Sequence, residues 1–124
     1  ITPPGLYYRA HKDGLDHRYS LNYTVRIYDS ECETAWYADE DLKHYEIDNL
    51  PGMNSRECVG FVKEAHTPLK KMTAVQGECI LLNTELFHDF DNSSSVNERL
   101  ILTFRDVNPG VTYFEDARKK LFGY

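Results

Sequence analysis

The sequence turns on residues 77–105, GECILLNTELFHDFDNSSSVNERLILTFR. An apolar run at 79–82 has the aliphatic character of a buried strand. It leads to a lone histidine, His88, then a polar loop at 89–98, then a strand of alternating character that opens with Arg99. In outline this is a β-hairpin, with His88 at the end of one strand and Arg99 at the start of the next. A metal-ligand side chain and an anion-binding side chain are thereby expected near one point. Far upstream, His11-Lys12-Asp13 supplies a partner for them. Side chains two apart on a strand point to the same face, so His11 and Asp13 can grip one ion together.

Working outward, alternation and turn chemistry predict strands at 6–10, 19–28, 33–37, 42–47, 58–63, 69–73, 78–82 and 99–106. In the second of these, Leu21, Tyr23, Val25 and Ile27 share a face that is expected to point inward. Tyr8 shares the parity of Ala10 rather than of His11, which puts it off the metal face. Turns are expected at Pro3-Pro4-Gly5, at 12–16, at Gln76-Gly77 and at Asn108-Pro109-Gly110. Residues 39–41 read as a solvated acidic turn, and Trp36 reads as core or rim. Residues 114–122 form one short terminal helix with Lys119 and Lys120 near its negative end. Eight or nine short strands indicate an all-β sandwich or barrel, and their spacing alone does not choose between a jelly roll and an immunoglobulin-like fold.

At 124 residues and 41% hydrophobic content, the chain is expected to form one domain, 1–124, around one core. A net charge of -6 excludes nonspecific nucleic-acid binding, which needs clustered Lys and Arg. The apolar runs, such as 80–82, are no longer than four residues and too short to span a membrane, and the first residues show no signal peptide. The start at Ile1 suggests further N-terminal elements in a longer chain. Cys32, Cys58 and Cys79 make an odd count without a CxxC, as expected of reduced thiols in a cytoplasmic protein. There is no phosphate-binding glycine loop and no nucleophile elbow.

Two histidines and one carboxylate suit non-haem Fe(II) and leave three coordination positions open. In this chain His11-x-Asp13, a long span of strands, a distal His88 and a basic residue about ten positions later occur in that order. PGLYYRAHKDG before and through the first motif, QGECILLNTELFHDFDN around the second, and ERLILTFR at the end carry the same pattern. Over residues 3–106 the chain resembles the Fe(II)/2-oxoglutarate-dependent oxygenases, particularly their prolyl-hydroxylase-like branch, with 40–73 matching only as strands. The resemblance implies a mainly all-β double-stranded β-helix (a jelly roll) with one short C-terminal helix. It implies Fe(II) held by His11, Asp13 and His88, and 2-oxoglutarate anchored through its C5 carboxylate by Arg99.

A planar guanidinium meets a carboxylate bidentately, and a hydroxyl commonly assists. Tyr23 is the expected second donor, although the family often places its Tyr where this chain has Val25. Thr103 is a weaker candidate, and Arg105 is the next basic residue on that strand should Arg99 face solvent. The implied reaction is oxidation coupled to decarboxylation, releasing succinate and CO2 and hydroxylating a small-molecule or peptide side-chain substrate. Asp13 fills the carboxylate position, which disfavours halogenation. Two other readings stand beside this one. A cupin-like metal barrel would do without 2-oxoglutarate and so without Arg99. A non-catalytic β-sandwich binding module would leave His11, Asp13 and His88 far apart.

Overall fold

The computed structural model describes residues 1–13, 18–28, 32–42, 47–48, 57–59, 66–105 and 113–124, with the backbone alone at 47–48 and 57–59. It is mainly β. The strands are β1 (Tyr7–Lys12), β2 (Tyr19–Arg26), β3 (Glu33–Tyr37), β4 (Ile47–Asp48), β5 (Glu57–Val59), β6 (Lys70–Thr73), β7 (Cys79–Asn83), β8 (Phe87–Asp91) and β9 (Leu100–Phe104). A one-turn helix α1 (Asp39–Leu42) follows β3, and α2 (Phe114–Phe122) ends the chain. All pairings are antiparallel, in a large sheet ordered β4-β5-β1-β8-β3-β6 and a small sheet ordered β7-β2-β9.

The terminal helix forms where it was expected, with Lys119 and Lys120 in its last turn and Gly123 closing it in the left-handed region. The turn at Pro3-Pro4-Gly5 likewise rests on a positive φ of 72° at Gly5, which costs glycine nothing. Residues 39–41 form α1 rather than a turn, and Asp39 there accepts a 2.6 Å hydrogen bond from Lys12 Nζ. Leu42 ends that helix instead of opening a strand. The remainder of the expected strands at 42–47 and 58–63, and the turns at 12–16 and 108–110, lie wholly or partly outside the described residues.

Residues 77–105 are not a hairpin. β7 pairs with β2 in the small sheet, β8 pairs with β1 and β3 in the large one, and β9 returns to β2. His88 therefore sits inside a strand rather than before a polar loop. The reason is Asp89, whose charge reads as loop but which is fully buried. Its carboxylate accepts the Tyr37 hydroxyl (2.7 Å), the Tyr7 hydroxyl (3.2 Å) and the Ala35 N–H (3.1 Å). A carboxylate so surrounded is affordable inside a sheet. Burial, and then Asp89 itself, push the Tyr37 hydroxyl well above its ordinary range, so it stays a donor.

Alternation along β8 puts Asp89 and Phe87 on the face opposite His88 and Phe90. That rear face carries the apolar core: Ala10, Ala35, Tyr37, Leu42 and Phe87. The small sheet has the reverse polarity. Its inner residues Ser20, Asn22, Leu82, Ile101 and Thr103 line a cavity, with Arg99 just before β9, while Tyr23, Leu102 and Phe104 on its outer face are 38%, 50% and 55% exposed. Tyr23 was expected inward because apolar alternation normally marks the core side. Here the inward side of β2 presents Ser20 and Asn22 to a cavity, so the parity is inverted. Among the described residues no helix is long and apolar enough to cross a membrane.

Replacing Asp89 with Ala would strand the buried Tyr37 hydroxyl and the Ala35 N–H. We expect a loss of about 2–4 kcal/mol in unfolding free energy. Denaturant titration should show a lower midpoint at unchanged slope, and an unchanged midpoint would mean that water replaces the carboxylate at little cost.

Candidate metal centre

His11 and His88 face each other directly across the β1–β8 pair. Directly opposed side chains on antiparallel strands begin only about 5 Å apart at Cβ, and the two imidazole centroids lie 4.4 Å apart. Each ring is oriented by its own backbone. His11 Nδ1–H donates to the Arg9 carbonyl (2.9 Å) and His88 Nδ1–H donates to the Leu86 carbonyl (3.0 Å). In the neutral ring that fixes Nε2 as the electron-pair donor.

Asp13 follows β1 directly, tied by its N–H to the Thr84 carbonyl (3.4 Å) just beyond β7. Its Oδ1 lies 3.3 Å from His11 Nε2 and 3.8 Å from His88 Nε2. Its Oδ2 pairs with Arg105 Nη2 at 2.9 Å. Burial pushes the Asp13 carboxyl up, but the His11 hydrogen bond and the charges of His88, Arg105 and His11 outweigh it and hold the group at about 2.

All three ligand atoms lie within 4.8 Å of one another, and all three residues are buried. With neutral rings, three lone pairs converge on one point. A proton can bridge one pair of them, whereas a cation satisfies all three. Ligand atoms about 2.0–2.3 Å from a common ion sit roughly 3–4 Å apart, so a modest closure of the two rings suffices. This group can hold a divalent metal ion.

The centre lies on the wall of a cavity of about 440 Å³ between the two sheets. Arg99 also lines this cavity and is only 4% exposed. Its backbone is fixed by a two-way bridge to Thr2, with N–H···O distances of 2.8 and 2.9 Å. Its guanidinium stacks on Phe90, 4.2 Å from the ring centroid, and Nη1 donates to Cys32 Sγ at 2.9 Å. Its Nε has no hydrogen-bond partner among the described residues, and no described carboxylate pairs with it. Burial pulls its pKa down and the Cys32 contact opposes this. Glu98, its neighbour in sequence, pairs with Arg26.

No family model, no curated protein and no solved structure matches this chain. What the centre can do therefore follows from its own donors. The structure brings His11, Asp13, His88 and Arg99 to one cavity, together with Thr103 and Arg105, and leaves Tyr23 on the outer face of the small sheet. The wide separation expected of a non-catalytic binding module is not seen.

Two neighbours escaped sequence reasoning. Tyr8 lines the cavity, its ring 4.7 Å from that of His11, because the register shifts between Tyr8 and His11. One extra residue in β1 restores Tyr8 to the His11 face, and no residue type advertises that bulge. Cys32 carried no signal beyond its identity.

Two outcomes are expected. Excess Fe(II) or Mn(II), a hundredfold above its dissociation constant, should stabilise the protein by about 2.7 kcal/mol in thermal melts, and His88→Ala should abolish the shift. In metal-free protein, a folded-state pKa below the unfolded one contributes stability above about pH 4, lost as pH falls toward 2. For Asp13, lowered from 3.8 to about 2, this amounts to about 2 kcal/mol. Asp13→Asn should flatten the acid limb of the stability curve by that amount; parallel curves would mean the carboxylate is not held ionised by its neighbours.

Proposed function

We propose that this chain is an Fe(II)- and 2-oxoglutarate-dependent dioxygenase of the hydroxylase type, built on a double-stranded β-helix. The observation that carries the reading is a pair of opposed sites in one cavity: a buried His-Asp-His set and a buried guanidinium that faces no described carboxylate. The stacking partner of Arg99, Phe90, lies two residues from His88 on the same face of β8. Two residues of strand advance about 7 Å, on the scale of a five-carbon dicarboxylate.

The connectivity supports the jelly roll. The chain steps from β1 in the large sheet to β2 in the small one and back to β3, and repeats the alternation through β6, β7, β8 and β9. That winding sets His11, His88 and Arg99 around one interior without any of them being close in sequence.

His11, Asp13 and His88 would hold the metal, and Arg99 would hold the C5 carboxylate of 2-oxoglutarate. Bound together, Fe(II) and 2-oxoglutarate would supply an O2-dependent oxidative decarboxylation that yields succinate, CO2 and a hydroxylated substrate. The protein's part is to bind and orient. The Nδ1–H bonds to Arg9 and Leu86 carbonyls keep both Nε2 atoms turned inward. Thr103 replaces Tyr23 as the hydroxyl beside the anion path, since it shares the inner face with Arg99. The cavity volume falls within the range of about 300–1,000 Å³ usual for small-molecule sites, enough for a cosubstrate and a substrate side chain.

Anaerobic addition of 2-oxoglutarate to the Fe(II)-loaded protein should produce a weak visible charge-transfer band. Arg99→Ala should raise the 2-oxoglutarate dissociation constant tens- to thousands-fold, as truncating one side of a desolvated charge-assisted pair costs about 2–5 kcal/mol. Metal affinity should hardly change. His88→Ala should lose metal first and cosubstrate as a consequence. Wild-type 2-oxoglutarate affinity in Arg99→Ala would hand the chain to the cupin-like reading.

A further inference from the structure

We propose that Cys32 is a positioning residue, which aims the Arg99 guanidinium at an anion without filling its bidentate fork. The inference rests on Arg99 as the dicarboxylate anchor and adds what makes that anchor work.

Cys32 is completely buried, immediately before β3. Its Sγ takes one N–H of Arg99, from Nη1, at 2.9 Å, while the Phe90 ring supports the guanidinium plane from one side at 4.2 Å. Two contacts of different direction fix a planar group: one sets its tilt and the other its rotation. Neither is a carboxylate. A single sulfur meets the guanidinium at one N–H and the aromatic face meets its plane, so the bidentate edge is not filled by its described surroundings. The Nε edge remains without a hydrogen-bond partner among the described residues.

The choice of side chain is informative in an acidic protein. Asp and Glu make up 20 of the 124 residues, against 14 Lys and Arg. Four other described arginines take carboxylates: Arg18 with Glu85, Arg26 with Glu98, Arg105 with Asp13 and Arg118 with Glu115. Arg99, the most deeply buried of these, has a thiol instead. An Asp at position 32 would fill the fork of Arg99 bidentately and compete with any incoming carboxylate. A Cys leaves that fork available. Isolated burial of a guanidinium is costly, and the cost is recovered when an anion arrives.

The experiment uses the full chain loaded with Mn(II) under anaerobic conditions, with 2-oxoglutarate as the probe and calorimetry as the readout. Mn(II) affinity by electron paramagnetic resonance and the melting temperature serve as controls. Cys32→Ser, which keeps an acceptor, should bind the probe within about threefold of wild type. Cys32→Ala, which frees the guanidinium, should bind about tenfold more weakly, and Cys32→Asp about a hundredfold or more weakly, with Mn(II) affinity unchanged in all three. If Cys32→Asp does not fold, the Ser and Ala pair still decides. Wild-type binding in Cys32→Ala, or a loss there matched by an equal loss of Mn(II) or of melting temperature, overturns the role of Cys32 and leaves the anchor standing. A wild-type protein that binds Mn(II) but not 2-oxoglutarate overturns the anchor and Cys32 with it.

Discussion

The pairing of β1 with β8 is the contact on which the site depends. It sets His11 opposite His88, and a cross-strand pair is the shortest route by which two histidines 77 positions apart meet without a specialised loop (88 minus 11). Ring orientation then comes from bonds to carbonyls two residues back in each strand, so strand geometry fixes tautomer as well as position. The rear of the same sheet supports this arrangement. Asp89 holds Tyr7, Tyr37 and the Ala35 amide, so β1, β3 and β8 are joined behind the histidines by a buried polar knot and an apolar cluster. The metal-facing side can then remain polar and partly open, because the stability of the sheet resides on its other face.

The small sheet completes the cavity with the opposite arrangement. Ser20, Asn22 and Thr103 face in beside Leu82 and Ile101, while Tyr23, Leu102 and Phe104 face out, with α2 packing near β7 and a gap lined by Tyr19, Leu21, Phe104 and Leu121 beneath the helix. The two ends of the sheet are tied down where Thr2 bridges Arg99 and where the Asp13 N–H meets the Thr84 carbonyl. The same two ends carry Arg99 and Asp13, so closure of the cavity and placement of these charges are one structural event.

This explains what the sequence disclosed and what it withheld. His11 and Asp13 were legible together because spacing on a strand translates directly into facing, whereas His88 and Arg99 were singled out by the order of motifs along the chain, since the hairpin expected to join them is not formed. Tyr23 was misread because apolar alternation reports which face avoids the polar side, not which face points inward. Tyr8 was misread because a bulge breaks the period. β8 was read as loop because buried Asp89 looks, one residue at a time, like a solvated acid. In each case the deciding interaction is long-range, and local propensity holds no trace of it.

Arg105 closes the physical account of the centre. A carboxylate has two oxygens and can chelate an ion through both. In Asp13 they are divided: Oδ2 is taken by Arg105, while Oδ1 faces the two imidazoles. An ion at this point would meet one oxygen and two nitrogens. Were Arg105 absent, the second oxygen would be available to it as well. The pair thus costs a cation some electrostatic attraction, since a guanidinium lies close by, and in exchange it leaves a single Asp13 oxygen turned toward the imidazoles.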